Sequence, residues 1–490
     1  MDMGTQILVA VVLAIVLSLV AAALVRGKSI TLRKFFWGDQ NFTSGDLAHL
    51  ILSTSFSING MLYQTWLGYS IGWAALWTQV VWCCGYVWMA KYSSKIGELS
   101  GSGTLHGVLG NVFGRRAGVW GAYGSVIGFL TLIGWEIACA KGIATMILPK
   151  SGSAINLFAV LLAVVAATYT VRGGIKGSLG ANRIQNFFAG SMLILGVSYF
   201  GFWAMKEGGS APLNSPGLLE SHSRLLTTLG IGGLITNFVF SLGWQFVDMS
   251  NWQSIAASSK EKGTARRGLL LGTGWVFIFP GVIGTAAGVF LSGVPGLTSD
   301  DIVPVFLSKL GGVSPLLGIL MIAAFVSAML ATLDGYFLAA SQAIIWDIKE
   351  NARVNSLLAI EDKEKSEIQL VSESQILGRA KGVVVLLAVV GSGGMLFLQW
   401  AANLNVFNLV YVATIGQLSL LPAVLAALTN KSRLNGLASI VCALVIGATC
   451  IIVGAVTGKS QFLDWSGTIT VVAGFFGLFV PSHANRSRNP

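Results

Sequence analysis

Residues 327–334 form the stretch of this sequence whose side chains could bind a cation. The stretch reads Ser-Ala-Met-Leu-Ala-Thr-Leu-Asp and lies inside an apolar segment that runs from about 316 to 345. A carboxylate at bilayer depth costs about 2.5 to 3.5 kcal/mol even on lenient insertion scales. Asp334 must therefore face a partner, a water-filled cavity or a bound cation, and the Thr332 hydroxyl is a second oxygen that could coordinate one. This stretch is our first candidate for a functional site.

The composition indicates what kind of protein positions this stretch. Of the 490 residues, 54% are hydrophobic and 10% are charged, whereas about a quarter of the residues of a soluble domain are charged. Apolar runs long enough to cross the roughly 30 Å hydrocarbon core predict an all-α polytopic membrane protein with thirteen transmembrane helices. The runs lie at about 4–25, 47–69, 71–90, 117–148, 153–171, 185–205, 226–248, 268–292, 313–346, 382–401, 404–429, 434–457 and 465–481.

The distribution of basic residues predicts how these helices are oriented. The chain starts Met-Asp-Met, and four basic residues lie within 26–34, directly after the first apolar run. If the spans alternate from there, most of the 31 Lys and Arg residues fall on one side, which the positive-inside rule assigns to the cytoplasm. The N-terminus is then outside, the C-terminus is cytoplasmic, and the net charge of +11 needs no nucleic-acid partner. We expect a multi-pass protein of the plasma (inner) membrane.

The second span contains a polar interruption at residues 53–60, which read Ser-Thr-Ser-Phe-Ser-Ile-Asn-Gly. Backbone groups freed by a break at membrane depth are tolerated only where they line a cavity or are buried in protein, and freed carbonyl groups are natural ligands for a small cation. The alternative is a packing seam of small residues between two helices. Asn59 beside Gly60 is more than packing requires, so we favour a broken helix that contributes half of a cation site.

A second candidate break lies in the seventh span, at residues 241–243 (Ser-Leu-Gly). Two interrupted helices five spans apart favour a pair of inverted five-helix repeats. We also expect a short outer helix at 298–309 and a cytoplasmic loop at 172–183. The predicted division of the chain is a peripheral first helix at 1–30, a first repeat at 45–206, a second repeat at 226–429 with a cytoplasmic helical or loop insert at 349–381, two peripheral helices at 434–482 and a cytoplasmic tail at 483–490.

Glu136, near the centre of the fourth span, is a second buried carboxylate. It either forms a structural ion pair with Lys141 or belongs to a site. The five Cys residues lie inside predicted spans without CxxC spacing and the four His residues are scattered, so neither a disulfide framework nor a zinc site is predicted. No Ser/His/Asp, metal or phosphate constellation is evident at one membrane depth, which argues against an enzyme.

Several short motifs follow one another along nearly the whole chain, and together they resemble a known family. They are Ser57 with residues 68–72 (Gly-Tyr-Ser-Ile-Gly), Tyr169-Thr170 with Gly173-Gly174 and Gln185, Gln253 before Ala256-Ala257, residues 328–341, and Trp346-Asp347-Ile348. In this order they resemble the sodium:solute symporter family, which includes the proline, sialic acid and galactose transporters. The resemblance implies a leucine-transporter-like fold of about thirteen spans and secondary active uptake by alternating access.

The resemblance also implies a sodium site between the second and ninth spans. Its backbone carbonyl ligands fall on Ser53, Phe56 and Ala328, and its two hydroxyl positions fall on Ala331 and Thr332. Ala331 has no hydroxyl group, which weakens the case for an unmodified site because a desolvated cation needs its shell of oxygens replaced.

The charges around that site also depart from the family pattern. Where many members have an acid three residues before the glutamine at 185, this chain has Asn182, and a hydroxyl position of the ninth span is Asp334. We therefore expect Asp334 either to complete the sodium shell, directly or through water, or to carry a coupling proton.

Substrate residues of the family come from the second, third, fourth and seventh spans. The corresponding positions here are Asn59, Gly60, Gln79, Trp82, Glu136, Phe240, Trp244 and Gln245. A buried carboxylate among aromatic rings suits a positively charged amine, so we expect a small cationic or zwitterionic nitrogen compound. A neutral metabolite or a monocarboxylate stays open.

The predicted function is sodium-coupled symport of a small organic solute, with Na⁺ as the coupling ion and the lipid bilayer as surroundings. Proton coupling through Asp334 or Glu136 on the same fold is the first alternative. A solute sensor that does not transport is the second, although such a sensor would normally need a cytoplasmic signalling domain, and the polar residues after Pro481 are few.

Overall fold

The computed structural model describes most of the chain as helices. The residues outside the description are 1–2, 25–30, 100–103, 148–151, 208–221, 259–260, 262, 293, 295, 298–300, 359–364, 395, 398–407 and 482–490. The predicted tail at 483–490 and the beginning of the predicted outer helix therefore lie outside the described residues.

The first part of the chain forms ten helices, and the first predicted break lies between the third and the fourth. They are α1 (Met3–Leu24), α2 (Leu32–Trp37), α3 (Ser44–Ser55), α4 (Ile58–Ile71), α5 (Leu76–Leu99), α6 (Leu105–Phe113), α7 (Arg115–Ile147), α8 (Gly152–Glu207), α9 (His222–Val247) and α10 (Met249–Ala257).

The second part continues with α11 (Thr264–Val276), which runs through a π-helical turn (Phe277–Ile283) into α12 (Gly284–Leu291). A short helix and the long central helix follow, and the latter also ends in a π-helical segment (Ala343–Lys349). The remaining helices are α13 (Ile302–Val313), α14 (Pro315–Gln342), α15 (Asn351–Leu358), α16 (Glu367–Leu386), α17 (Asn408–Leu418), α18 (Leu421–Leu428), α19 (Gly436–Thr457) and α20 (Ser460–Leu478).

The first predicted break is a real interruption between α3 and α4. Helix α3 ends at Phe56, whose φ of −97° and ψ of 71° are not helical. Ser57 then caps α4, because its hydroxyl oxygen accepts a hydrogen bond from the Gly60 N–H at 3.0 Å and satisfies one of the orphan donors of the new helix. The break thus falls inside the stretch predicted from the sequence.

The second break is five residues further along the chain than residues 241–243, so the predicted position is wrong. Helix α9 has a kink at Gly230, is helical from there through Gly243, and ends before Asp248, which caps α10. Gly243 serves close packing: a Cβ atom there would lie 2.4 Å from Leu421 Cδ2. Gly243 therefore allows two helices to pack closely and does not interrupt its own helix.

The segment 172–183, predicted as a loop, is helical and belongs to α8. This helix changes direction at Gly174, whose φ of 55° and ψ of −151° interrupt an otherwise helical run. The positive φ favours glycine, and a Cβ atom at this position would lie 2.4 Å from the Phe35 carbonyl oxygen on α2. The bend carries the following turns of α8 beneath the central helix.

Eight helical stretches of the described chain are long and apolar enough to cross a membrane. Helices α3 and α4, with 12 and 14 residues, are individually shorter than the roughly 20 residues that a span requires. The eight stretches establish a multi-pass membrane protein by length and composition, while the count of thirteen and the side of each terminus stay predictions.

Helix α14 is the centre of the molecule. Nearly all of its residues after Gly318 are buried, and it packs against α1, α3, α7, α8 and α13. By contrast, α19 and α20 pack mainly on each other and expose large apolar side chains. The central helix therefore holds its polar residues away from lipid.

The insert predicted at 349–381 forms α15 and the first turns of α16. Lys365 and Glu373 form an ion pair of 2.7 Å with both side chains almost fully buried. Glu373 also accepts a hydrogen bond of 2.9 Å from the Leu32 N–H at the start of α2. These contacts fix the insert to the helical body.

Candidate functional site

Oxygen atoms from two helices converge where α14 passes the end of α3. Thr332 Oγ1 lies 2.7 Å from the Ser53 carbonyl oxygen and 3.0 Å from the Ala328 carbonyl oxygen. Phe56, the last residue before the break, is fully buried, as is Ala331. The structure therefore brings Ser53, Ala328 and Thr332 together, and their role as sodium ligands stays a prediction.

Asp334 lies fully buried two residues further along α14. The Ser178 and Tyr169 hydroxyl groups and the Gly335 N–H face its carboxylate. Within the described part of the chain, the Asp334 Oδ1 atom has no hydrogen-bond partner. A buried carboxylate oxygen without a partner is costly, so this atom is a ready ligand for a cation or a proton.

Asn182 on α8 completes this polar cluster. With its amide oriented to satisfy both of its ends, Nδ2 lies 3.3 Å from Asp334 Oδ2 and 3.2 Å from Gln185 Oε1, and Oδ1 lies 3.1 Å from Ser53 Oγ. Asn186 Nδ2 donates to the same Ser53 Oγ at 3.0 Å. The two positions at which the sequence departs from the family pattern are therefore neighbours in space. We call Ser53, Asn182, Ala328, Thr332 and Asp334 the oxygen cluster.

A cavity of about 390 Å³ lies beside the first break. Six of the eight predicted substrate residues line it. They are Asn59, Gly60, Gln79, Trp82, Phe240 and Trp244. The break therefore contributes to two sites. The end of α3 supplies part of the oxygen cluster, and the first turn of α4 supplies part of the cavity wall.

Three aromatic rings form one wall of the cavity. The Trp82 ring centroid lies 5.4 Å from that of Phe240 and 6.5 Å from that of Trp244, and the Phe240 and Trp244 centroids are 4.8 Å apart. Such faces attract organic cations.

Gln79 has a structural partner as well as a place in the cavity wall. Its Nε2 donates to the Val276 carbonyl oxygen at 3.1 Å. Pro280, four residues after Val276, has no N–H to give that carbonyl. The Gln79 amide thus supports the π-helical turn that faces the cavity.

Glu136 and Gln245 are the two predicted substrate residues that do not line the cavity. The Glu136 carboxylate is fully buried and faces the Ile58 and Asn59 N–H groups at the start of α4, although neither of its oxygens makes a hydrogen bond of normal geometry within the described chain. Unpaired N–H groups at a helix start attract negative charge. No ion pair joins it to Lys141 among the described residues.

Gln245 fastens α9 to α5. Its Nε2 donates to the Trp82 carbonyl oxygen at 3.2 Å, and a Cβ atom at Gly85 would lie 2.4 Å from Gln245 Oε1. Roles for Glu136 and Gln245 in substrate binding stay predictions.

The end of the cavity remote from the break has polar residues that the sequence did not single out. Tyr411 Oη donates to Asp464 Oδ1 at 3.1 Å, and Asn237 Nδ2 donates to Tyr63 Oη at 2.8 Å. All four side chains line the cavity. Asp464 was missed because the last span was predicted to begin at 465, whereas α20 begins at Ser460.

One side-chain arrangement contradicts the expectation that no Ser/His/Asp constellation exists. His106 Nδ1 lies 2.8 Å from Asp347 Oδ2, and His106 Nε2 lies 2.8 Å from Ser125 Oγ. Thr104 Oγ1 donates to Asp347 Oδ1 at 2.6 Å. The serine is fully buried and does not line the cavity, so in this conformation the arrangement is a buried polar network that joins α6, α7 and the end of the central helix.

Comparison with known proteins supports the fold. No protein-family model and no curated protein matches the sequence. A solved structure of a Na⁺-coupled sialic acid symporter in a substrate-bound outward-open state has a TM-score of 0.73 and 16% identity, and the match covers 98% of this chain and 99% of that one. Mhp1, a nucleobase-cation-symport-1 family transporter in a closed conformation with bromovinylhydantoin bound, has a TM-score of 0.54 and 13% identity over 92% and 94% of the two chains. The chain therefore has the leucine-transporter-like fold of these transporters.

Proposed function

We propose that this protein is a sodium-coupled symporter that takes up a small organic solute by alternating access in the plasma (inner) membrane. The observation that carries the proposal is the oxygen cluster between α3 and α14. The Ser53 and Ala328 carbonyl oxygens each lie within 3.0 Å of the Thr332 hydroxyl oxygen, and the fully buried Asp334 is two residues away.

The chemistry of this cluster fits a small hard cation. Na⁺ replaces its hydration shell with carbonyl, hydroxyl and carboxylate oxygens. Ser53, Phe56 and Ala328 would offer carbonyl oxygens, and Thr332 would offer a hydroxyl. Ala331 supplies no side-chain oxygen, and Asp334 supplies a carboxylate on the same helix, so the loss of a neutral ligand is offset by a charged one.

The position of the break explains how ion and solute binding would be coupled. Phe56 and Ser57 separate the α3 oxygens from Asn59 and Gly60, which line the cavity. A cation held by α3 and α14 would hold α3 in one position, and the same hinge sets the start of α4. Each ligand therefore favours the conformation that the other binds, and such coupling is reciprocal.

The cavity favours a small cationic or zwitterionic nitrogen compound as its solute, because Trp82, Phe240 and Trp244 offer aromatic faces to a positive charge. The described wall contains no Lys or Arg side chain that would repel such a solute. A neutral metabolite would bind by hydrogen bonds to Gln79 and Asn59 instead.

Proton coupling is the second candidate for the driving ion. It is favoured by one observation, the Oδ1 atom of the buried Asp334, which has no hydrogen-bond partner in the described chain, because such a group can bind a proton in place of a metal ion.

A symporter and a sensor that does not transport would share these binding sites. A measurement of solute uptake distinguishes the two.

The first test is the thermal stability of the purified protein in detergent, scanned against NaCl and KCl at several pH values. A ligand that binds the native state raises the midpoint by linkage. We expect a saturable rise with Na⁺ that K⁺ does not reproduce. A midpoint that follows pH and ignores Na⁺ would replace sodium coupling with proton coupling, and no response to either ion would refute a coupled carrier.

A further inference from the structure

The cavity wall contains one formally charged side chain among the described residues that line it, and that side chain is Asp464. It lies on α20, five residues after Lys459, and is partly exposed. The remaining described wall is aromatic, aliphatic or neutral and polar. The negative charge of the cavity is therefore concentrated at one end.

The surroundings of Asp464 come from three other helices. Tyr411 on α17 donates to its Oδ1 at 3.1 Å. Tyr63 on α4 lies close to Tyr411 and accepts a hydrogen bond from Asn237 on α9. The first half of α9 and the beginning of α20 lie at the end of the cavity that the predicted topology places outside. This set of residues would be the first that a solute arriving from outside meets.

Among the side chains that the structure describes, none neutralises Asp464. In the described chain its hydrogen bond comes from the Tyr411 hydroxyl, and no Lys, Arg or His side chain lies within ion-pair distance of it. A carboxylate that lines a largely uncharged cavity attracts a positive partner. A bound ligand can be that partner.

We propose that Asp464 binds the positively charged nitrogen of an organic cation or zwitterion at the outer end of the cavity. Tyr411, which donates to Asp464, and Tyr63 close to it provide aromatic faces on the cavity wall, and Asn237 donates a hydrogen bond to the Tyr63 hydroxyl. The inference rests on the proposed transport of an organic solute and adds the group that recognises its charge.

Two other ligand classes fit this end of the cavity less well. A desolvated metal ion needs a shell of several oxygens, and the described hydrogen-bond partner of Asp464 is a single hydroxyl oxygen, that of Tyr411. A monocarboxylate would be repelled by the unpaired charge of Asp464. A bulky ammonium group gains from both the carboxylate and the rings.

The experiment measures the thermal midpoint of purified full-length protein in saturating NaCl while choline or glycine betaine is titrated. A neutral isostere of choline, 3,3-dimethyl-1-butanol, is titrated in parallel. We expect one or both of the charged probes to raise the midpoint saturably and the isostere to have no effect. Asp464→Asn should raise the half-saturating probe concentration at least tenfold, and Tyr411→Phe should raise it severalfold.

Glu98→Gln is the matched control, because it removes one carboxylate at the exposed end of α5, away from the cavity. It should change the half-saturating concentration less than twofold. The proposal is overturned if neither charged probe stabilises the wild-type protein, if the isostere binds equally well, or if Asp464→Asn binds the probe as tightly as wild type. Loss in Glu136→Gln with Asp464→Asn unaffected would assign the charge recognition to Glu136 instead.

The Na⁺ response is recorded on the same samples without probe. If that response is present and the probes fail, sodium coupling stands and this inference falls. If the probes bind but Na⁺ has no effect, the inference stands and sodium coupling falls.

Discussion

The two broken helices of this protein treat their freed backbone groups differently. At the first break, the Ser53 carbonyl oxygen points to another helix and accepts from Thr332. At the second, Asp248 caps α10 through the Ser250 N–H at 2.8 Å. Residues of α10 then return to the end of α9: Asn251 donates to the Gln245 carbonyl oxygen and Trp252 to that of Phe246.

This difference teaches that an interrupted helix in a membrane is not by itself an ion site. Freed carbonyl groups must be satisfied somewhere. When side chains of the following helix donate hydrogen bonds to these carbonyl groups, as at the second break, no ion is needed to satisfy them. When the neighbouring helix supplies a single hydroxyl donor for two carbonyl groups, as Thr332 does for Ser53 and Ala328, a cation can take the place of the missing donor.

The largest expected effect comes from Asp334→Asn. Removal of the charged oxygen ligand should raise the half-saturating Na⁺ concentration at least about 100-fold, which corresponds to roughly 2.8 kcal/mol. The measurement is the Na⁺ dependence of the thermal midpoint, followed by the Na⁺ dependence of uptake. Unaltered Na⁺ dependence would show that Asp334 is not a ligand.

The control for this variant is a double variant that moves the carboxylate from α14 to α8. Asn182 lies 3.3 Å from Asp334, so Asp334→Asn combined with Asn182→Asp returns a carboxylate to the same cluster from α8. We expect the double variant to recover most of the lost affinity. If it behaves like Asp334→Asn alone, the carboxylate must be on α14.

A smaller effect is expected from Thr332→Ala. The variant removes one neutral hydroxyl oxygen between the Ser53 and Ala328 carbonyl groups, and the expected loss of Na⁺ affinity is about tenfold, or roughly 1.4 kcal/mol. Thr332→Ser keeps the hydroxyl group and should stay within about threefold of wild type by the same scale. Equal losses in the two variants would mean that the Thr332 methyl group, rather than its oxygen, matters.

The smallest effect on Na⁺ binding is expected at the second break. Asp248→Ala removes the cap of α10 and a 3.3 Å hydrogen bond from Trp244 Nε1, which should cost about 0.5 to 2 kcal/mol of stability. The thermal midpoint of the Na⁺-free protein should fall, while the half-saturating Na⁺ concentration changes less than twofold. A large loss of Na⁺ affinity would show that both breaks take part in ion binding and would end the distinction drawn between them.

The sequence located some parts of the site and misplaced others for identifiable reasons. The first break could be predicted because Ser, Asn and Gly residues interrupt an apolar run within a few neighbouring positions. The second could not, because Gly243 is a packing residue and the cap, Asp248, is the last residue of the predicted span. Asp464 was hidden by an error of five residues in a helix start.

The amino-acid sequence by itself determined the membrane class, the order of the apolar segments, the first break and the concentration of polar groups on the central helix, because each depends on residues close together in the chain. Only the tertiary structure decided that Asn182 meets Asp334, which needs the bend of α8 at Gly174. It also decided that Glu136 lies behind the cavity and Asp464 within it. Such placement depends on how each helix is rotated and packed against distant ones, and local sequence patterns do not encode that rotation.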